Sequence, residues 1–178
     1  VVTPRLFGTF WVTGSRFTSD FTLPIVDVVE RNLVTDVALK GDVEHHHADG
    51  FVTRFGFEHK RLHVGYTQDF PEGLVDIQHR PRQYVLYGTT SWRPTVRWEV
   101  EAGLRGVRFA ADRTFRDLEP RLSLKHRFRD TSVLRASTGL YHQYLHRVPR
   151  FAFTDIWIAS NREQDASRAI HGVLGYQK

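Results

Sequence analysis

Apolar and polar residues alternate one by one along most of this chain. A period of two describes a strand with two unlike faces and leaves no amphipathic helix. From Val96 to Phe109, Trp98, Val100, Ala102 and Leu104 fall on one face. Arg97, Glu99, Glu101, Gly103 and Arg105 fall on the other. Arg121 to Phe128 repeats the division, with Leu122, Leu124 and Phe128 opposite Arg121, Ser123, Lys125 and Arg127. Val37, Leu39 and Val43 oppose Asp36, Lys40, Asp42 and Glu44, and Tyr84, Leu86 and Trp92 oppose Gln83, Thr89 and Ser91. Phe51, Phe55 and Phe57 oppose Arg54 and Glu58, but the pattern changes phase toward Leu62, Val64 and Tyr66. A bulge near Lys60-Arg61 is the expected cause. With further strands over about Leu6 to Phe17, Val133 to Tyr144 and Ser167 to Tyr176, the chain predicts about eight strands and no helix.

The connections alternate in length. His47-Ala48-Asp49-Gly50 holds an Asp-Gly hairpin signal, and Arg93-Pro94-Thr95 and Arg129-Asp130-Thr131-Ser132 are equally short. Between them lie long segments, Thr18 to Asn32, Thr67 to Arg82, Ala110 to Glu119 and Arg147 to Ala166. In an antiparallel meander this puts all short turns at one rim and all long loops at the other, the layout of outer-membrane barrels.

Hydropathy excludes the other membrane architecture. The mean is −0.40, and no run approaches the ~20 apolar residues a spanning helix needs. Membrane strands escape that test because their two faces average out. The chain has no cysteine, which removes disulfides and thiolate metal sites. It also has no methionine and opens Val1-Val2-Thr3-Pro4 without a charged-then-apolar leader, so a mature product or a piece of a longer chain is expected. Trp92, Trp98, Phe128 and Phe51 flank the short turns, while Tyr66, Phe109 and Tyr144 stand at the far strand ends. Together they predict two aromatic girdles at membrane interfaces. The competing reading is the core of a soluble β-sandwich.

Charge placement bears on size and partners. Lys and Arg outnumber Asp and Glu 25 to 20, giving +5, which invites a nucleic-acid reading. Yet acids and bases interleave on the polar face, and no pure basic patch stands out, so no nucleic-acid partner is expected. Arg97, Glu99, Glu101, Arg105, Lys125 and Arg127 are expected to line a lumen. A closed eight-strand barrel has an interior filled by side chains, where so many charges need extensive pairing. The wall of a wider, hydrated barrel has no such requirement. The expected fold is therefore an all-β, antiparallel, up-and-down transmembrane β-barrel segment occupying the whole of residues 1–178.

One stretch carries a family resemblance. Glu119-Pro120-Arg121-Leu122-Ser123-Leu124-Lys125-His126-Arg127-Phe128 leads through a short turn to Leu134-Arg135-Ala136-Ser137-Thr138-Gly139-Leu140-Tyr141-His142-Gln143. This resembles the barrel of a TonB-dependent outer-membrane receptor, in which a Pro-Arg strand ending in Phe precedes a strand with Ala-Ser, Gly and Tyr-His-Gln. Leu174-Gly175-Tyr176 and the hairpin from Trp92-Arg93-Pro94 to Leu104-Arg105 are similar to neighbouring parts of that barrel. The specific likeness covers about residues 82 to 178. The family barrel has about 22 strands around a plug. No plug or partner-contacting box is visible, and Lys178 does not supply a terminal aromatic, so the resemblance implies a mid-barrel fragment. It further implies a Gram-negative outer membrane, lipid around the wall and capture of a small-molecule ligand (siderophore, cobalamin, sugar or peptide). Energy coupling would run through a TonB-type protein and a plug outside this chain.

Candidate chemistry is sparse. His45, His46 and His47 invite a metal, but neighbours on a strand point to opposite faces, so only His45 and His47 can share an ion, and no metal site is expected. His142 and His146 near Tyr141 and Tyr144 suggest a hydrolase base, yet no serine stands at a defined partner position. Glu99 and Glu101 share a face with Arg97 and Arg105, which favours a paired, solvated wall over carboxylate catalysis. No catalytic residue and no cofactor are expected. Ligand contacts are expected on the segment after Arg147, from Arg150, Phe151, Phe153 and Trp157. The alternative for this segment is a loop that folds onto its neighbours and closes its own apolar cluster.

Overall fold

The computed structural model describes residues 5–129, 131–149 and 155–178. The strands are β1 (Leu6–Leu23), β2 (Val28–Ala48), β3 (Phe51–Phe70), β4 (Gly73–His79), β5 (Arg82–Thr95), β6 (Trp98–Ala110), β7 (Thr114–Arg129), β8 (Ser132–Gln143), β9 (Leu145–Val148), β10 (Ile156–Ala159) and β11 (Ser167–Gln177). Eight form one antiparallel sheet in the order β1-β2-β3-β5-β6-β7-β8-β11, with β4 paired beside β5 on β3. The sheet curls into half a barrel. Strands β9 and β10 form a separate hairpin.

The alternating pattern partitions the two faces. Cross-strand partners share a face, so the pairs Glu44↔Arg54, Lys40↔Glu58, Arg105↔Glu119 and Glu99↔Lys125 put the charges together. The pairs Val43↔Phe55, Val100↔Leu124, Ala102↔Leu122 and Trp98↔His126 put the apolar residues on the opposite face. The β9–β10 hairpin lies against the charged face. It touches β2 and β3, and its Ala159 joins the buried cluster of Val85, Val107, Phe109, Phe115 and Tyr144 from β5, β6, β7 and the end of β8. One short hairpin reaches strands from β2 to β7 only across a concave surface, so the charged face is the inner one. Leu104, Leu122 and Leu86 stand 52%, 50% and 71% exposed on the outer face.

Three features depart from the sequence reading. The long connections are mostly strand. β1 and β2 extend to a turn at residues 24–27, where Asp27 takes φ 49, and β3 runs into a tight turn before β4. The polar alternation Thr18-Ser19-Asp20 and Thr67-Gln68-Asp69 gives neither face an apolar row, yet these stretches pair as fully as the rest. Only residues 144–166 form a long excursion. No bulge occurs at Lys60-Arg61, since the β2–β3 register runs unbroken from Asp69 to His46. The phase change arises because Leu62, Val64 and Tyr66 stay on the inner face, and that face turns apolar toward the hairpin. At the same height β3 exchanges its partner β5 for β4, and Leu62 N–H donates to the buried Pro81 carbonyl (3.0 Å). Finally, Tyr66, Phe109 and Tyr144 do not form a girdle. They are buried inner-face residues: Phe109 stacks on Tyr144 in the cluster with Ala159 of the hairpin, and Tyr66 donates to Glu30 (3.1 Å) and Gln68 (2.8 Å). The aromatics beside the short turns do share the outer face, with Phe51↔Trp92 and Trp98↔His126 paired there.

Candidate functional site

The inner face carries a network of paired charges. Near the short turns, Glu99 accepts from Lys125 (3.4 Å) and lies 3.3 Å from Arg93. Arg97 and Arg127 stand beside them, joined by the Arg127 N–H to the Arg97 carbonyl (2.8 Å). These residues with Asp49 and Gly50 line a cavity of about 470 Å³. Glu101 is exposed one step further up β6. On the neighbouring strands Glu44 takes Arg54 Nε at 3.1 Å, Glu58 lies between Lys40 (3.5 Å) and Lys60 (3.3 Å), and Tyr87 donates to Asp42. All six residues expected to line a lumen thus lie on the concave side.

Higher on the same face is a tighter cluster that the sequence reading did not assemble. The ladder between β7 and β8 stops at Arg121↔Gly139, whereas β8 stays paired with β11 as far as Gln143↔Ser167. Glu119, 1% exposed, fills the gap. It accepts from Arg105 Nη1 (2.7 Å), from Arg121 Nη2 (3.4 Å) and from the His142 backbone N–H (2.9 Å). A carboxylate so deeply buried is tenable only with several donors of this kind. Tyr144 donates to Asp117 (2.7 Å), and burial beside that carboxylate pushes its phenol well above the usual range. The signal was present as Glu-Pro-Arg at 119–121, but parting of the ladder is a tertiary event.

The serine partner missing from the sequence reading is present. His146 Nε2 lies 2.9 Å from Ser160 Oγ, and its Nδ1 is 3.4 Å from Ser167 Oγ. Ser160 is fully buried and its N–H donates to the Tyr144 carbonyl (2.8 Å). Each imidazole nitrogen thus meets a hydroxyl, and the group pins the hairpin to β11. At the short turns, His45 and His47 share a side, with Nδ1 atoms 3.1 Å apart, while His46 turns to Glu44 (2.7 Å). Among the described residues no three His, Asp or Glu side chains come together as a metal-binding group.

Of the expected ligand contacts, Arg150, Phe151 and Phe153 lie outside the described residues. Trp157 pairs with Arg147 across the hairpin and is half-buried. With Ile77, His79, Asp112 and Arg162 it lines a cavity of about 360 Å³ at the long-loop rim. The hairpin therefore does fold onto its neighbours, and it also presents an aromatic wall to the rim.

No family model and no curated protein sequence matches the chain. Among solved structures, the crystal structure of the ferric yersiniabactin uptake receptor FyuA from Yersinia pestis is similar over 98% of this chain, with a TM-score of 0.69 and 12% identity. The chain spans about a third of that receptor's length, 31%. At that identity the likeness is one of fold: this chain has the architecture of part of a large antiparallel barrel.

Proposed function

We propose that the chain is part of the wall of a TonB-dependent importer in a Gram-negative outer membrane. One observation carries this reading: an apolar outer face and a charged, ion-paired inner face on one curled sheet. Lipid suits the first, and a hydrated or plugged lumen suits the second. The fold likeness to a siderophore receptor supports it. In this reading the ligand is a small molecule captured at the long-loop rim beside Trp157, with Arg150, Phe151 and Phe153 on the same segment. Uptake is driven by a TonB-type protein acting through a plug domain. Lumen lining falls to Arg97, Glu99, Glu101, Arg105, Lys125 and Arg127.

A self-closed small barrel fits less well, because it requires β1 to pair with β11. Among the described residues, neither strand has a partner on its far side. A soluble lipid carrier requires the apolar face inside.

Cysteine labelling of intact cells tests the membrane reading, since the chain has no native cysteine. Glu72→Cys, at the β3–β4 turn, reacts with an impermeant thiol reagent, and Asp49→Cys reacts only after permeabilisation. Reversed labelling inverts the topology, and recovery of the protein in the soluble fraction removes the reading. Trp157→Ala then lowers ligand uptake without lowering the amount of assembled barrel. Substitution is preferred to deletion here, because Ala159 and Ser160 are buried under the sheet.

A further inference from the structure

The outer face carries a second pattern beside its apolar rows. Arg61 and Arg82 are directly paired across β3 and β5, and Arg108 and Arg116 across β6 and β7. Arg82 and Arg108 are diagonal neighbours, because Arg108 pairs with Tyr84 and its guanidinium lies 5.6 Å from that ring. Arg16 on β1 and Arg168 on β11 point to the same side. All six are exposed. Like charges directly opposite each other destabilise a sheet. Yet among the described residues none of the six has a carboxylate within ion-pair distance. On the inner face Lys40, Arg54, Lys60, Arg105, Arg121 and Lys125 each have one, while among the described residues Arg97, Arg127 and Arg135 near the short turns do not.

Five of these arginines, those on β3, β5, β6, β7 and β11, lie at one height on the curled sheet. The ladder row Phe51–Trp92–Val100–Leu124–Ala136–Leu174 gives the reference. Arg61 and Arg82 stand ten positions above it, Arg108 and Arg116 eight, and Arg168 six. The short turns descend in the same direction, with Gly50 one position below the row, Arg97 three and Thr131 five. That common drift is what tilted barrel strands produce at constant height. The arginines therefore form a belt parallel to the short-turn rim. Phe51 and Arg61, Trp92 and Arg82, and Trp98 and Arg108 are each ten positions apart on one strand. At a ~45° tilt ten residues rise about 23 Å, close to the ~25 Å apolar band of a membrane barrel. Between the two limits no outer-face position on β5, β6 or β7 carries Asp, Glu, Lys or Arg.

We propose that this belt binds the phosphate groups of anionic lipid headgroups in the leaflet on the long-loop side. The inference rests on the membrane reading above. A guanidinium presents two parallel N–H donors to phosphate oxygens, and a phosphate between two opposed arginines replaces their repulsion by two charge-assisted contacts. Lipid is the occupant that fits, because the belt borders the apolar band and a headgroup layer covers both together. A nucleic acid would leave the band bare.

The test uses the complete barrel whose wall this chain forms in part, in phosphatidylcholine vesicles, with spin-labelled phosphatidic acid and spin-labelled phosphatidylcholine as probes. Flotation first reports membrane association. The wild type holds the phosphatidic acid label immobile in preference to the neutral one. R61Q/R82Q/R108Q/R116Q loses that preference, by on the order of fivefold per arginine that engages a headgroup. The corresponding lysine variant keeps most of it, and R108Q/R116Q, a milder change, shows a partial loss. Equal immobilisation of both labels around a floated protein overturns the belt and leaves the membrane reading standing. So does a preference unchanged in folded R108Q/R116Q. Abolition of the preference by inorganic phosphate at the same concentration overturns lipid as the ligand. Failure to float with either vesicle removes the membrane reading and the belt with it.

Discussion

Leu122→Arg tests the outer face where it matters most. Leu122 is 50% exposed on β7, between its cross-strand partners Ala102 and Thr138. Along the strand it lies four positions from His126 in the short-turn girdle and six from Arg116 in the belt. That puts it one position from the centre of the band, within about 3 Å of the midplane. An arginine at that depth costs about 2–4 kcal/mol in a membrane barrel. The matching inner-face change, Lys125→Leu, removes a 3.4 Å contact with Glu99, which keeps Arg93 at 3.3 Å. Both partners are partly solvated, so this loss is about 0–1 kcal/mol. Denaturant unfolding of the vesicle-embedded protein, followed by intrinsic tryptophan fluorescence, measures both. Equal destabilisation by the two changes, or a larger effect from Lys125→Leu, refutes the assignment of faces.

Glu119→Gln is expected to destabilise by roughly 1.5–3 kcal/mol, because the partly buried Arg105 loses its charge-assisted partner. The midpoint of thermal unfolding reports it, and an unchanged midpoint would show that the carboxylate is dispensable. Gly56→Ala costs about 1–3 kcal/mol, since a Cβ there runs into the Asp42 carboxylate and the Tyr87 ring. Gly73→Ala meets nothing within 4 Å and serves as the neutral control in the same assay. Replacing His45 and His47 together by alanine is expected to leave metal content unchanged by elemental analysis, and loss of a stoichiometric ion would reveal a site.

The strands were legible because binary alternation acts residue by residue. It identified the two faces of β6 and β7 wherever a polar inner face opposes an apolar outer one. It failed where an inner face is itself apolar. Leu62, Val64 and Tyr66 read as a phase shift and Phe109 as a girdle residue, because the hairpin that packs against β3 and Phe109 lies some 35 to 95 positions away in the chain. Strand ends were underestimated for a related reason. Thr18-Ser19-Asp20 lacks an apolar row and reads as loop, although it pairs with β2 residue for residue. The serines facing His146 were equally invisible, since Ser160 and Ser167 reach it only through the hairpin fold. The arginines escaped notice because they occur singly in the chain, and only the register gathers them into a basic row. They lie on the outer face, whereas the expectation of no pure basic patch concerned the polar one.

The near-sequential strand order has a kinetic meaning. Every ladder in the main sheet except β8–β11 joins strands adjacent in the chain or separated by one short intervening element. Each loop to be closed is therefore small, and its entropic penalty low. Assembly can advance hairpin by hairpin, each new strand adding to an edge already formed, without waiting for a distant segment. Closing the excursion between β8 and β11 is the exception, for there β9 and β10 must settle against β2 and β3 first encountered some hundred residues earlier. A refolding trace should accordingly show most of the strand signal before burial of Tyr144 and Phe109, with the hairpin as the last piece to lock.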